Sequence, residues 1–205
     1  MEAYLTLRAP AEIEIVERRS RFICAAAPVE NEAAAQEFLA ECRKNHRAAS
    51  HNVYAYVIRE GQTRRFSDDG EPQGTAGMPV LDVLSGNKLT DCVAVVTRYF
   101  GGVLLGTGGL VHAYSRAASA VVESAGIVCM KLCGLLHVCC DYGQYGRIEP
   151  LILRWSGVVS DSRFGENVEL DFALPKKDIA GFCAELTEVS AGTLTPEILG
   201  EVWAH

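Results

Sequence analysis

Nothing in this 205-residue sequence is built to cross or enter a membrane. The apolar runs Val93–Val96 and Leu151–Leu153 are far shorter than the roughly 20 residues a helix needs to span a bilayer. The start, Met1-Glu2-Ala3-Tyr4 followed by Glu12 and Glu14, lacks the basic region and apolar stretch of a secretory signal. The expectation is therefore a cytoplasmic protein with no membrane partner. Eight cysteines are present, but no Cys-x-x-Cys pair, which removes the usual zinc-ligand spacing. Cys129, Cys133, Cys139 and Cys140 crowd near His137, yet neighbours such as Cys139 and Cys140 would face opposite sides of a strand. In a reducing compartment the cysteines read as small apolar core residues rather than disulfides. Also missing are a Gly-x-Ser-x-Gly elbow and a His-Glu-x-x-His helix, so two common hydrolase designs are excluded.

Net positive charge is lacking too: the chain carries −7. The deficit is uneven. Residues 1–133 hold 14 basic against 15 acidic residues, and residues 134–205 hold 5 against 11. The acidity belongs to the C-terminal third, which leaves room for a local basic patch upstream.

What is present is globular composition, 49% apolar and 22% charged. Alternation predicts strands over Glu12–Arg19 and Phe22–Ala27. Asn31 is placed to cap an alanine- and glutamate-rich helix running to Cys42. A strand over Asn52–Arg59 turns at Glu60-Gly61 into Thr63–Phe66, and the turn-rich stretch Ser67–Gly77 predicts an exposed loop. A short helix is expected between Pro79 and Gly86. Cys92–Thr97, continuously apolar, fits a strand buried on both faces. Leu110–Ala125 is spaced as a helix whose buried side includes Leu110, Val111, Tyr114 and Val121. Further on, Gly134–Tyr142, Tyr145–Trp155, Gly157–Phe164, Asn167–Leu174, a helix opened by Pro175, and Leu194–Trp203 read β-α-β-β-α-β, a ferredoxin-like order. The fold expected is α/β (α+β) with two domains, residues 1–132 and residues 133–205.

The most unusual stretch is Arg98-Tyr99-Phe100-Gly101-Gly102-Val103-Leu104-Leu105-Gly106-Thr107-Gly108-Gly109. Its glycines leave a strand and enter a helix, where unpaired N–H groups favour anions. It is not a P-loop, because Thr107 stands where lysine is required after Gly106. It is not a dinucleotide fingerprint, because Val111 stands where the third glycine would be. An anion site and a purely steric strand-to-helix connection both remain open. On the following helix His112, Ser115, Arg116, Ser119 and Glu123 share one face. His112 and Arg116 lie nearest the glycines, and Arg116 suits a phosphate or carboxylate.

A second candidate is the loop containing Arg65, Ser67, Asp68, Asp69, Glu71 and Thr75. Clustered carboxylates are the ligand type hard cations take, but the spacing does not match a calcium loop and acidic residues also build turns. No metal or cofactor is expected. A third is the basic run Arg43-Lys44-Asn45-His46-Arg47 ahead of His51, placed where a helix C-terminus favours cations whatever the function.

Three ordered blocks then stand out: His51-Asn52-x-Tyr54-Ala55-Tyr56; Arg65-Phe66-Ser67-Asp68-Asp69-Gly70-Glu71-Pro72-x-Gly74-Thr75-Ala76-Gly77; and Arg98-Tyr99-Phe100-Gly101-Gly102-x-x-Leu105-Gly106-x-Gly108-Gly109-Leu110-Val111-x-Ala113-Tyr114. Together they resemble the Impact/YigZ family, and the C-terminal part is similar to the extra domain of its bacterial YigZ-type members. The resemblance implies an N-terminal domain like the second domain of a small-subunit ribosomal protein. It implies a C-terminal domain like the ferredoxin-like end domain of elongation factor G. It also implies a link to translation: eukaryotic Impact members restrain a starvation-responsive initiation-factor kinase by competing for its ribosome-associated activator. Met78 and His112 stand where basic residues are common in the family.

The function expected is a non-enzymatic RNA- or ribosome-associated protein with a role in translation regulation, partnered by RNA, the ribosome or a translation-related protein. Two alternatives stay open. One is an enzyme taking a phosphorylated or carboxylated small molecule at the glycine run. The other is a protein-interaction module. The candidate contact residues are His51, Arg65, Ser67, Asp68, Asp69, Glu71, Thr75, Arg98, Gly101, Gly102, Gly106, Gly108, Gly109, His112 and Arg116. No catalytic residue is assigned.

Overall fold

The structure is a computed structural model that describes residues 3–205; the Met1-Glu2 start lies outside them. Contacts divide the chain into two compact units, Tyr4–Cys129 and Met130–His205.

The N-terminal unit is built on a five-stranded sheet. Its strands are β2 (Ala11–Glu17), β3 (Ser20–Pro28), β4 (His51–Ile58), β5 (Thr63–Ser67) and β6 (Cys92–Tyr99), in the order β2-β3-β6-β4-β5. The apolar strand β6 lies between β3 and β4 and is buried on both sides, as its unbroken hydrophobicity requires. Cys92, Ala94 and Val96 meet α2 (Gly77–Gly86) and α3 (Gly106–Ala125) on one face. Val93 and Val95 meet α1 (Glu32–Asn45) on the other. The result is a three-layer α/β sandwich. Asn31 caps α1, its side-chain oxygen accepting from the Ala34 N–H at 2.9 Å. Ahead of this sheet a short strand, β1 (Ala3–Leu7), was not anticipated; Thr6 Oγ1 donates to the Asp91 carbonyl at 3.0 Å and ties it down.

The C-terminal unit contains most of β7 (Ile127–Cys140), then α4 (Tyr142–Arg154), β8 (Val158–Phe164), β9 (Val168–Pro175), α5 (Ile179–Val189) and β10 (Glu197–Ala204). The strand order β10-β7-β9-β8 with antiparallel pairing is the ferredoxin-like arrangement. Leu136, Val138, Leu170 and Phe172 meet Ile148, Ile152, Phe182 and Leu186 from the two helices on one face only. Asp141 closes a capping box with Gln144 at the start of α4.

Four expectations need correction. The glycines at 106, 108 and 109 are not loop but the first turn of α3, which starts four residues before Leu110. Val111 is exposed and Ala113 is buried, because Ala113 follows Leu110 by three residues and shares its face, whereas Val111 stands one residue, about 100°, round the helix from Leu110. The stretch Ser67–Gly77 is not wholly exposed, since Glu71, Thr75, Ala76 and Gly77 are buried. Pro175 opens a 3₁₀ turn, Lys176–Asp178, before α5 begins. No helix among the described residues is long and apolar enough to cross a membrane.

Candidate functional site

The end of the N-terminal sheet where β6 stops gathers most of the residues singled out above. Three stretches distant in sequence arrive there: the β2–β3 turn, the start of β4 with the α1 terminus before it, and the glycine run leading to α3. Hydrogen bonds join them. The Ser50 N–H donates to the Arg98 carbonyl at 2.9 Å. His46 Nδ1 meets the Tyr99 hydroxyl at 3.0 Å, which brings the basic run of α1 to the same end.

Arg98 itself turns inward and is not a surface cation. Its side chain is 6% exposed, and Nη1 donates to Glu71 Oε1 at 2.6 Å. The same oxygen accepts from the Tyr114 hydroxyl at 2.7 Å and lies 3.8 Å from His51 Nε2. The guanidinium carbon stands 5.5 Å from the Phe22 ring centre and 5.7 Å from that of Phe100. Burial, and then the Glu71 charge, push the Tyr114 hydroxyl far above its ordinary titration range, so it remains a donor. A buried ion pair of this kind is costly to break, because either partner alone is an uncompensated charge. Glu71 and Arg98 therefore join the loop to the sheet and helix α3; neither is available to a ligand as a free charge.

The other loop residues have structural partners as well. The Asp68 carboxylate accepts from the Gly74, Ala76 and Gly77 N–H groups at 2.9, 3.1 and 2.8 Å, closing the loop at the start of α2. Asp69 accepts from the Asn52 N–H at 2.7 Å and pairs with Arg43 at 3.1 Å. Ser67 Oγ accepts from the Asp69 N–H, and Thr75 Oγ1 donates to the Pro72 carbonyl. His51 Nδ1 donates to the Asp69 carbonyl at 2.8 Å, leaving Nε2 toward Glu71. The three carboxylates thus face protein donors and do not converge as a cation site. Arg65 sits apart on β5, opposite Tyr56 and exposed.

The surface cations are elsewhere, and the sequence reading missed two of them. Arg18 and Arg19 form the two-residue turn between β2 and β3, with φ of 44° and 71°. Such turns prefer Asn-Gly, because both residues must adopt the left-handed region. Both side chains are exposed and have no ion pair among the described residues, and the same holds for Lys44 and Arg47. Arg21 and Arg116 are exposed but paired, with Glu14 and Glu17. His112 is exposed on the first part of α3.

The glycine run packs against this turn. A Cβ at Gly101 would lie 2.1 Å from the Arg19 carbonyl carbon and 2.4 Å from the Ser20 nitrogen. Only glycine permits that approach. The Gly101 N–H then donates to Ser20 Oγ at 3.2 Å. Gly102 and Gly106 take positive φ, 80° and 72°. Gly108 has open space around it, and nothing in the structure explains glycine there. No side chain caps α3, so its first-turn N–H groups are left unpaired by any cap. Phe100, Val103 and Leu104 are exposed beside them.

The C-terminal unit presents an open sheet face of different character. His137 Nδ1 and Asp171 Oδ1 are 2.7 Å apart, and Arg163 bridges Asp161, Glu169 and Asp171. The His137 hydrogen bond, followed by Arg163, lowers the Asp171 carboxyl below its ordinary range. Cys139 on this face and Cys129 are exposed, contrary to the expectation of uniformly buried thiols. Cys24, Cys42, Cys92, Cys133 and Cys140 are buried. Burial pushes the Cys42 thiol up to about 11 and the Cys92 thiol to about 12.

Comparison with known proteins matches this arrangement along the chain. The family model described as the Impact N-terminal domain matches residues 18–122, and a domain of unknown function, DUF1949, matches residues 138–193. IMPACT family member YvyE of Bacillus subtilis is 40% identical over 193 residues, covering 94% of this chain and 89% of that protein. IMPACT family member YigZ of Escherichia coli is 36% identical over 197 residues, covering 95% and 97%. Protein IMPACT of Bos taurus is 36% identical over 115 residues, which is 54% of this chain and 36% of that protein. A solved structure titled as a hypothetical protein superposes with a TM-score of 0.63 at 36% identity, covering 97% and 98% of the two chains. The first of these matched segments opens at Arg18 and carries the whole end of the sheet described above, and on these matches the chain belongs to the IMPACT family.

Proposed function

We propose that this protein is a non-enzymatic RNA- or ribosome-associated factor with a role in regulating translation, and that it meets RNA with the β6 end of its N-terminal sheet. One observation carries the reading. The unpaired cations Arg18, Arg19, Lys44 and Arg47 collect at that end, while the carboxylates nearby are committed to protein donors. A chain of net charge −7 thus presents a locally cationic rim. The family's implied link to translation points the same way. The buried Arg98–Glu71–Tyr114 cluster supports a binding role over a catalytic one, since Arg98 Nη1 and the Tyr114 hydroxyl both donate to Glu71 Oε1 and leave that carboxylate oxygen occupied by protein donors.

Four phosphate contacts on a single strand correspond to a log–log salt slope of about −3, or about a fifty-fold loss of affinity between roughly 50 and 200 mM salt. The test is filter binding to structured and unstructured RNA across that range, with ribosome co-sedimentation of wild type against Arg18→Ala/Arg19→Ala. Salt-dependent binding that the double variant weakens is expected. Absence of binding at low salt, or binding that ignores salt, overturns the reading.

A further inference from the structure

We infer that the RNA recognised at this end of the sheet is single-stranded, with an unpaired base stacked on Phe100. This rests on the RNA reading above and narrows it. Phe100 is 50% exposed where the chain leaves β6, and Leu104, four residues on, is 82% exposed. The backbone that carries the ring is held in place. Its peptide N–H lies 3.4 Å from Ser50 Oγ, and its neighbour Gly101 is pressed onto the Arg19–Ser20 peptide. The Arg98 guanidinium, 5.7 Å from the ring centre, is itself immobilised by Glu71. The phenyl group therefore has a rigid polar backing and is half open to solvent.

Cations flank it. Arg18 and Arg19 stand on the side of the β2–β3 turn, and Arg47 follows His46, whose ring contacts Tyr99. An aromatic ring among unpaired cations matches what a single strand offers: phosphates for the arginines and an exposed base face for the ring. A duplex offers the phosphates, but its bases are stacked on one another. A-form RNA is read through shape and 2′-hydroxyl contacts across its minor groove, for which a solitary phenyl ring has no use.

The two parts contribute in separable ways. The arginines set the salt slope, whereas stacking is largely independent of salt. The experiment is fluorescence anisotropy with the full chain and a labelled RNA of about twelve nucleotides, single-stranded or annealed to its complement. Wild type should prefer the single strand. Phe100→Ala should weaken single-strand binding about tenfold with an unchanged salt slope and leave duplex binding unaltered. Phe100→Trp should retain the affinity, and Phe100→Leu, which keeps apolar bulk without a π face, should not. Arg18→Ala/Arg19→Ala should lower the slope by about 1.4. Thermal melts of each variant establish that the fold survives. Equal or tighter duplex binding, or full affinity in Phe100→Leu, overturns this inference and leaves the RNA reading standing. No salt-dependent binding to either RNA overturns both.

Discussion

Replacing Glu71 with alanine removes the acceptor on which two side chains of the N-terminal unit converge. Arg98 would keep its charge in a position where its side chain is 6% exposed, and the Tyr114 hydroxyl would lose its partner inside the fold. Deleting one member of a buried ion pair costs about 3–5 kcal/mol. An orphaned hydroxyl adds about 1–3 kcal/mol. The two losses share one oxygen and overlap, so the expected destabilisation is about 4–6 kcal/mol. For a chain of this size each kcal/mol lowers the melting temperature by about 2–4 °C, giving a drop of roughly 10–20 °C. Trp155 and Trp203 both belong to the C-terminal unit, so urea and thermal unfolding should be followed by far-UV circular dichroism rather than tryptophan fluorescence. Glu71→Gln keeps an acceptor and should lose less. The pair Glu71→Leu/Arg98→Met, which removes both charges, should recover much of the loss. A destabilisation by Glu71→Ala below about 1 kcal/mol would refute the argument, because the cluster would then have to be solvated rather than desolvated.

Arg18→Asn/Arg19→Gly supplies residues suited to the turn's positive φ angles; unfolding in urea should show a gain of about 1–2 kcal/mol, and RNA affinity should fall in the same variant. The Asp171 carboxyl is depressed in the folded state, so its stabilising contribution is complete above its ordinary value of 3.8 and is lost as pH drops below that. Melting temperatures taken between about pH 6 and pH 3 should therefore fall less steeply in Asp171→Asn than in wild type. Ellman's reagent should modify Cys129 and Cys139 readily in the native protein and spare Cys24, Cys42 and Cys92 until denaturant is added, as peptide mapping would reveal.

The layers of the fold were legible because they are written in local periodicity. The uniform apolarity of Cys92–Thr97 marked a central strand, Asn31 marked a helix start, and the C-terminal pattern spelled out its topology. The glycine run was located correctly but divided wrongly. Glycine's low helix propensity hid the fact that α3 starts at Gly106, where the first-turn N–H groups have no intrahelical partners in any helix. The loop around Glu71 read as exposed because turn residues are usually solvated. What draws it inward is Arg98, 27 positions away, and Tyr114, 43 positions away, and no window along the chain contains such pairs. Arg18 and Arg19 escaped notice for a related reason. A turn built from two arginines goes against turn preferences, so the alternation of Glu12–Arg19 continues the strand pattern through to Arg19, and only the backbone reveals the turn.

A two-residue hairpin turn at the surface is ordinarily where a chain tolerates extra residues, whether placed there by evolution or by an engineer. The β2–β3 turn is different, because Gly101 rests directly on its Arg19–Ser20 peptide with no space for even a methyl group. An added residue would push the turn into the glycine run, whose Gly101 lies 81 positions beyond Ser20 in sequence. Tags and inserted epitopes belong instead at exposed turns such as Gly165, where an added Cβ would meet only the Asn167 carbonyl oxygen at 3.8 Å, and the length of the chain between Glu17 and Ser20 should be the least variable of its loops.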